Sequence, residues 1–222
     1  MAGRILVLNP NTSRACTEGI AAALAPFAAP GLPRLDVVSL PDGPPAIVTW
    51  RDWHAVVEPI CRAIAREDAD AYVIACVSDP GLEAARTVTG RPVIGVFRAA
   101  VAAAMTRAER FGVIGFTHRS EARQRRALQA MGVEARLAAW TPLDLPMEVL
   151  TDPVAPQGRI AEAARRLAEQ GAEAIVLGCA GMAAHAEVAA EASGLPVIEP
   201  CQAGAAAALL AVLGARTPVL SA

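Results

Sequence analysis

The chain has 222 residues, a net charge of −2 and 54% hydrophobic residues, enough for one large domain or two small ones. The near balance of charge gives no sign of a nucleic-acid partner, and the longest uncharged stretch, residues 200–215, is shorter than the roughly 18–20 residues that span a bilayer. All 20 basic residues are arginines, which excludes chemistry that needs a lysine amine, such as pyridoxal phosphate catalysis or a Ser-Lys dyad.

Short apolar runs alternate with longer alanine-rich segments along the chain. The apolar runs predict buried strands at residues 5–8, 35–39, 72–75, 93–96, 112–116, 174–177 and 197–198. The alanine-rich segments predict helices at residues 12–24, 52–66, 81–88, 98–107, 120–131, 160–170, 183–193 and 203–213. This alternation is typical of an α/β fold with a mostly parallel sheet.

The two halves of the chain also resemble each other. Residues 71–76 match residues 174–179, and residues 90–94 match residues 194–198 at nearly the same offset. An alanine-rich helix is predicted after each matched pair. We therefore predict an α/β fold of two pseudo-symmetric Rossmann-like lobes, each with a mostly parallel sheet flanked by helices.

Two of the five cysteines, Cys76 and Cys179, occupy equivalent positions in this repeat. Each ends a predicted strand and precedes a predicted helix, where parallel sheets bind ligands and helix N–H groups are free. We expect the helix dipoles to lower the pKa of both thiols. Two thiols on opposite sides of a cleft could remove a proton from one face of an acidic carbon and return one to the other, without any cofactor. The alternative is that both cysteines are structural.

The remaining cysteines and the histidines form no recognisable motif. The histidines lack metal-ligand spacing and no Cys-x-x-Cys pair occurs, so we expect no metal site. Cys16, Cys61 and Cys201 are expected to be core or surface thiols, and His185 is expected to face solvent. Five widely spaced cysteines and the lack of a visible secretory signal predict free thiols and a cytoplasmic location.

Three segments together resemble the Asp/Glu/hydantoin racemase superfamily, and most closely its hydantoin and allantoin racemases. They are residues 4–13, 76–82 and 174–182. The resemblance implies cofactor-independent racemisation in a cleft between two lobes, with Cys76 and Cys179 as the acid–base pair. It also implies that the last helix packs back on the first lobe, which gives lobes of residues 1–97 plus 202–222 and of residues 98–201.

The same segments suggest which residues bind the substrate. Amino-acid racemases of this superfamily usually carry polar residues after each cysteine, whereas this chain has Val77-Ser78 and Ala180-Gly181. Backbone N–H groups in a less polar site suit the carbonyl oxygens of a neutral ring such as a hydantoin. Asn11 could contact the ligand or only form a turn. The residues expected to bind substrate are Pro10, Asn11, Val77, Ser78, Thr117, Ala180 and Gly181.

One departure from the hydantoin-racemase pattern is Arg98, where those enzymes tend to have Gly-Glu-Ala-Ala after the fourth strand. This arginine could face the site and favour an anionic substrate, or it could lie on the surface. Ile47, Trp50 and Trp53 could line or cover the pocket, or serve only in packing.

The leading hypothesis is a racemase of a 5-substituted hydantoin or a related cyclic ureide such as allantoin. We expect a homo-oligomer that acts on a small molecule and has neither nucleic acid nor membrane as a partner. Three alternatives stay open: an Asp/Glu-type amino-acid racemase, a maleate-type isomerase with one nucleophilic cysteine, and a catalytically silent binding protein on the same fold. Arylmalonate decarboxylases are disfavoured because that branch keeps only one of the two cysteines.

Overall fold

In the computed structural model, which describes residues 3–214, the strands form two parallel four-stranded sheets. The first sheet contains β1 (Arg4–Asn9), β2 (Arg34–Ser39), β3 (Ala71–Ile74) and β4 (Val93–Gly95). The second contains β5 (Phe111–Gly115), β6 (Leu137–Pro142), β7 (Ala174–Gly178) and β8 (Val197–Ile198). The order is β2-β1-β3-β4 in one and β6-β5-β7-β8 in the other, which confirms the predicted α/β fold with two similar halves. We call these halves the first and second lobes.

Helices cover the sheets on both faces. Their bounds are α1 (Arg14–Leu24), α2 (Trp50–Ala55), α3 (Val57–Arg66), α4 (Leu82–Ala85), α5 (Val96–Met105), α6 (Glu121–Met131), α7 (Met147–Leu150), α8 (Gln157–Glu169), α9 (Ala186–Ser193) and α10 (Pro200–Gly214). A 3-10 helix at Ala180–His185 follows β7. None of the helices within residues 3–214 is long and apolar enough to cross a membrane.

The central strands supply most of the buried apolar side chains. Strands β3, β5 and β7 are buried along their whole length, as expected for parallel sheets covered on both faces. One continuous core joins the lobes, because α5 packs against both α10 and β7. The carboxyl ends of the central strands of both sheets are thereby held toward each other.

The last helix, α10, packs against α5, α1 and β3 of the first lobe and also touches β7. The Gln202 Nε2 amide donates to the carbonyl of Ala23 at the end of α1, at 3.0 Å. The lobe boundaries drawn from the resemblance stay a prediction. Residues 215–222, which that prediction assigns to the first lobe, lie outside the described residues.

The sequence pattern missed β6 and the short α7, and two of its predicted helices differ from the structure more than the others do. Strand β6 lies at the edge of its sheet, is only half-buried, and ends at Pro142, so it shows neither a fully apolar run nor a regular alternation. The helix predicted at residues 52–66 is divided into α2 and α3 at Val56. The short α4 covers only part of the predicted helix at residues 81–88.

The prediction that His185 faces solvent is wrong. Residues 180–185 form a 3-10 helix that packs against α1 and α9, and this packing turns the His185 ring inward, leaving it 1% exposed. Burial lowers the pKa of His185.

Gly178, at the end of β7, is required by the close approach of the neighbouring strand. A Cβ atom there would overlap the backbone carbonyl of Ile114 in β5, which cannot move without breaking the sheet. We expect Gly178→Ala to lower the free energy of unfolding by about 2–3 kcal/mol. Gly90→Ala is the control, since nothing lies within 4 Å of its Cβ position. Urea unfolding measures both, and equal midpoints would contradict the prediction.

Candidate active site

A cavity lies between the two lobes, where β3 and β7 end. It encloses about 410 Å³, counting its open mouth and the gaps between side chains. Cys76 follows β3 and Cys179 follows β7, so the two lobes each contribute one thiol from equivalent positions. The lining residues are Asn11, Cys16, Ile47, Ala75, Cys76, Val77, Ser78, Phe116, Ser120, Arg123, Met147, Gly178, Cys179 and Ala180.

The structure brings most of the predicted site residues to this cavity. Those that line it are Asn11, Cys76, Val77, Ser78, Cys179 and Ala180. The other predicted residues, Pro10, Thr117 and Gly181, are not among the lining residues, although each is the chain neighbour of one. The predicted roles of all these residues in binding and catalysis stay predictions.

Asn11 forms the turn that its sequence position suggested, and it also lines the cavity. Its side-chain oxygen accepts from the Ser13 N–H at 2.8 Å, at the start of α1, and from Asn9 Nδ2 at 3.1 Å. Its amide nitrogen lies 3.9 Å from the Cys16 sulfur. The turn therefore fixes the Asn11 side chain against the cavity, and it also brings a third thiol, Cys16, to the cavity wall.

The two principal thiols have different neighbours. The Cys76 sulfur lies 3.7 Å from the Ser78 hydroxyl, and the Gly181 N–H donates to the Cys179 sulfur at 3.4 Å. Both thiols reach the cavity but are otherwise surrounded by protein atoms. Burial raises the pKa of Cys76 to about 11 and that of Cys179 further above its ordinary value.

The predicted lowering of these pKa values is therefore wrong for the unliganded site. The helices behind the cysteines are too weak to supply it, because α4 has four residues and the segment after Cys179 is a 3-10 helix. Desolvation of the thiolate outweighs the single polar neighbour that each sulfur has. Cys76 is the more acidic of the two, and the nearby positive charge of Arg123 contributes to this difference.

Arg123 on α6 is a cavity residue that the sequence reasoning did not identify. Arg123 is 3% exposed as a whole residue, and its guanidinium donates to the Arg119 carbonyl at 3.1 Å and lies 3.5 Å from the Ser120 hydroxyl. It also lies 5.8 Å from the centre of the Trp50 ring, close enough for a cation–π interaction. An arginine on a charged helix has no local signal that marks it as buried.

Arg98, the predicted candidate for binding an anion, is not among the cavity residues. Its guanidinium pairs with Glu83 at 2.5 Å and lies 3.9 Å from the buried Asp79 carboxylate. Asp79 in turn accepts from the N–H groups of Phe97 and Arg98 at the start of α5. The Arg98 guanidinium therefore interacts with two acidic side chains, Asp79 and Glu83, near the start of α5.

Gln124, the residue after Arg123, joins the backbones of the two cysteine segments. Its side-chain amide donates to the Val77 carbonyl at 2.6 Å and to the Gly178 carbonyl at 3.0 Å. Its oxygen accepts from Trp140 Nε1 at 2.6 Å, so both donor hydrogens and one of the two acceptor positions of this buried side chain are occupied. One amide thus ties the residue after Cys76 to the residue before Cys179.

Apolar side chains complete the cavity wall. Ile47, Phe116 and Met147 line it, and Ile47 was among the residues predicted to do so. The Trp53 indole nitrogen donates to the carbonyl of Ser78, one of the lining residues, at 3.1 Å. Within residues 3–214, no group of three or more His, Cys, Asp or Glu side chains is arranged to hold a metal ion.

Comparison with known proteins gives a consistent result. The profile of the Asp/Glu/Hydantoin racemase family matches residues 5–208. A hydantoin racemase of Paenarthrobacter aurescens is 36% identical over 227 residues, covering 96% of this chain and 93% of its own. The solved allantoin racemase from Klebsiella pneumoniae is 35% identical with a TM-score of 0.88, and the match covers 96% of this chain and 89% of that one. The allantoin racemase from Pseudomonas fluorescens is 27% identical with a TM-score of 0.87, and the match covers 95% of this chain and 92% of that one.

Replacing Gln124 tests whether its amide holds the cysteine segments together. Gln124→Leu leaves two buried carbonyls and the Trp140 N–H without partners, so we expect the free energy of unfolding to fall by about 3 kcal/mol. Gln129→Leu is the matched control, because Gln129 lies on the same helix and is exposed. Urea unfolding measures both variants. A loss of the same size in both would show that the Gln124 hydrogen bonds contribute nothing specific.

The raised pKa values predict how the thiols react with iodoacetamide. Because only the thiolate reacts, the alkylation rates of Cys76 and Cys179 should keep rising between pH 7 and 10, with Cys76 ahead of Cys179. Cys201, which is fully buried, is the internal control and should stay unmodified in the folded protein. Peptide mass spectrometry follows each site. A Cys76 rate that levels off below pH 8 would contradict the raised pKa.

Proposed function

The chain belongs to the Asp/Glu/hydantoin racemase family and is an isomerase, and we propose that it racemises a 5-substituted hydantoin or a related cyclic ureide such as allantoin. In this proposal Cys76 and Cys179 move the protons. The observation that carries it is the pair of thiols at equivalent strand ends, one from each lobe, lining a single cavity.

The proposed reaction needs one thiolate and one thiol. The thiolate takes the proton from the ring carbon C5 and becomes a thiol, while the electron pair of the C–H bond moves into an enolate. The opposite thiol then gives its proton to the other face of C5 and becomes the thiolate. One C–H bond breaks, one forms, and the total charge is unchanged, so the same site works in both directions and needs no cofactor.

The high pKa of the thiols has two opposite effects on proton transfer: it lowers the fraction of thiolate and it raises the basicity of that thiolate. A thiolate in a dry site is rare at neutral pH, but once formed it is a stronger base than an ordinary thiolate. That strength suits a carbon acid, whose proton is held more tightly than that of a typical acidic group. The Arg123 charge favours the ionised form of Cys76, which makes Cys76 the more readily formed base.

Backbone N–H groups next to the cysteines could stabilise the enolate. Val77 and Ala180 follow the two cysteines, and both line the cavity. Within the described part of the chain, neither N–H donates to a protein acceptor. The carbonyl oxygens of a hydantoin ring flank its acidic carbon and the adjacent nitrogen, so a donor on each lobe could bind the ring through them.

The relatives support the substrate class. Proteins named as hydantoin and allantoin racemases align along nearly the whole of this chain at 35–36% identity. Hydantoins and allantoin share a cyclic ureide ring with one acidic stereogenic carbon. A site with donors for ring carbonyls and a thiol on each face fits that shared chemistry.

Single replacements of the cysteines test the proposal. Cys76→Ser and Cys179→Ser should each lower the racemisation rate by about 100-fold or more, because serine cannot act as the base. Each variant should still exchange the C5 proton for deuterium in only one enantiomer, the one whose proton faces the remaining thiol. NMR in deuterated water and chiral chromatography measure exchange and inversion separately.

The control is Cys61→Ala, which removes a thiol that does not line the cavity. It should leave both rates unchanged, and reactions without enzyme give the spontaneous background. Racemisation that persists at full rate in either serine variant would contradict the two-thiol mechanism. Racemisation of free aspartate or glutamate, with hydantoins left unchanged, would contradict the proposed substrate class instead.

A further inference from the structure

Arg123 is the one charged side chain among the described residues that line the cavity. The residue is more than nine-tenths buried, and within residues 3–214 its Nε nitrogen has no hydrogen-bond partner. The neighbours of its other nitrogens, the Arg119 carbonyl and the Ser120 hydroxyl, are neutral. The cavity therefore contains a positive charge that no directly bonded anion balances.

The surrounding charges do not neutralise it. Asp52 is the acidic residue whose charge acts on Arg123, but it forms no ion pair with Arg123 among the described residues. The Asp52 carboxylate instead accepts from the N–H groups of Val48 and Thr49 at the start of α2. Arg126, on the same helix, adds a second guanidinium beside Trp50, at 5.9 Å from the ring centre.

A buried cation without a counter-ion is unfavourable, so an anion that enters the cavity gains more than it would at an exposed arginine. The guanidinium presents a planar fork that matches a carboxylate in two hydrogen bonds. The other cavity walls offer apolar contacts from Ile47, Phe116 and Met147. A carboxylate close to the reacting carbon is the group that this arrangement fits.

We propose that Arg123 binds a carboxylate of the substrate, and that the preferred substrates are hydantoin-type rings whose C5 substituent is short and ends in a carboxylate. The inference rests on the proposed function and narrows it. The substituent must be short because Arg123 lines the same cavity as Cys76 and Cys179, so the guanidinium lies near the reacting carbon. Arg123 is then the residue that sets specificity, in the role first considered for Arg98.

The same arginine could serve only to stabilise the Cys76 thiolate, and the experiment must separate these roles. A thiolate effect alters kcat for every substrate alike, whereas recognition of a carboxylate alters KM for carboxylated substrates only. The matched pair of substrates is 5-carboxymethylhydantoin and its carboxamide, which have the same size and differ in charge.

For the wild type we expect kcat/KM for the carboxylate to exceed that for the carboxamide by about 100-fold. Arg123→Gln should remove this preference mainly by raising KM for the carboxylate, beyond the fall in kcat that both substrates share when the positive charge near Cys76 is lost. Arg123→Lys, which keeps the charge but not the fork, should retain part of the preference. Arg126→Gln is the control for charge on the same helix and should behave as wild type.

Two results would overturn the proposal. One is a wild type that does not prefer the carboxylate. The other is a preference for the carboxylate that persists in Arg123→Gln while kcat falls equally for both substrates, which would assign Arg123 to the thiolate alone. A binding measurement separates failure here from failure of the proposed function: succinate should slow alkylation of Cys76 in the wild type and not in Arg123→Gln, whether or not any hydantoin is racemised. Equal protection in both proteins would also overturn it.

Discussion

The buried amide of Gln124 is the interaction on which the site depends. The two thiols belong to different sheets, so no strand pairing fixes the distance between them. Gln124 donates to the carbonyl of Val77, the residue after Cys76, and to the carbonyl of Gly178, the residue before Cys179. Its own oxygen accepts from Trp140 Nε1. Since hydrogen bonds weaken outside a narrow range of distance and angle, the Gln124 hydrogen bonds and the shared core around α5 determine how the cysteine segments face each other.

In the proposed mechanism, the repeat supplies the chemistry and the departures from the repeat supply the specificity. Within the described residues, equivalent strand ends give each lobe one thiol and one backbone N–H group without a protein acceptor, which suits the proposed reaction on both faces of a flat intermediate. The neighbours are unequal: Ser78 lies beside Cys76, Gly181 donates to Cys179, and Arg123 from the second lobe adds a positive charge near Cys76. The proposed site would thus treat two mirror-image substrates alike while selecting what they carry at C5.

The sequence predicted the sheet halves and the cysteine pair because these follow from local patterns: apolar runs, and a cysteine repeated at the end of each. It missed β6 because an edge strand that is half-buried has no strong pattern. It named Arg98 as a candidate and did not identify Arg123 as a cavity residue, because burial of a helical arginine is decided by what packs against the helix, here Trp50. It predicted the wrong direction for the thiol pKa values for the same reason, since desolvation depends on the complete fold.

The most direct test of the central claim uses the unaltered protein and one pure enantiomer of a hydantoin in deuterated water. With a separate thiol for each face, the product enantiomer formed in the first turnovers should carry deuterium at C5, while the remaining starting enantiomer keeps its proton. Chiral chromatography coupled to mass spectrometry resolves the two. Deuterium appearing equally in both enantiomers from the start would mean that one base serves both faces, and would contradict the account.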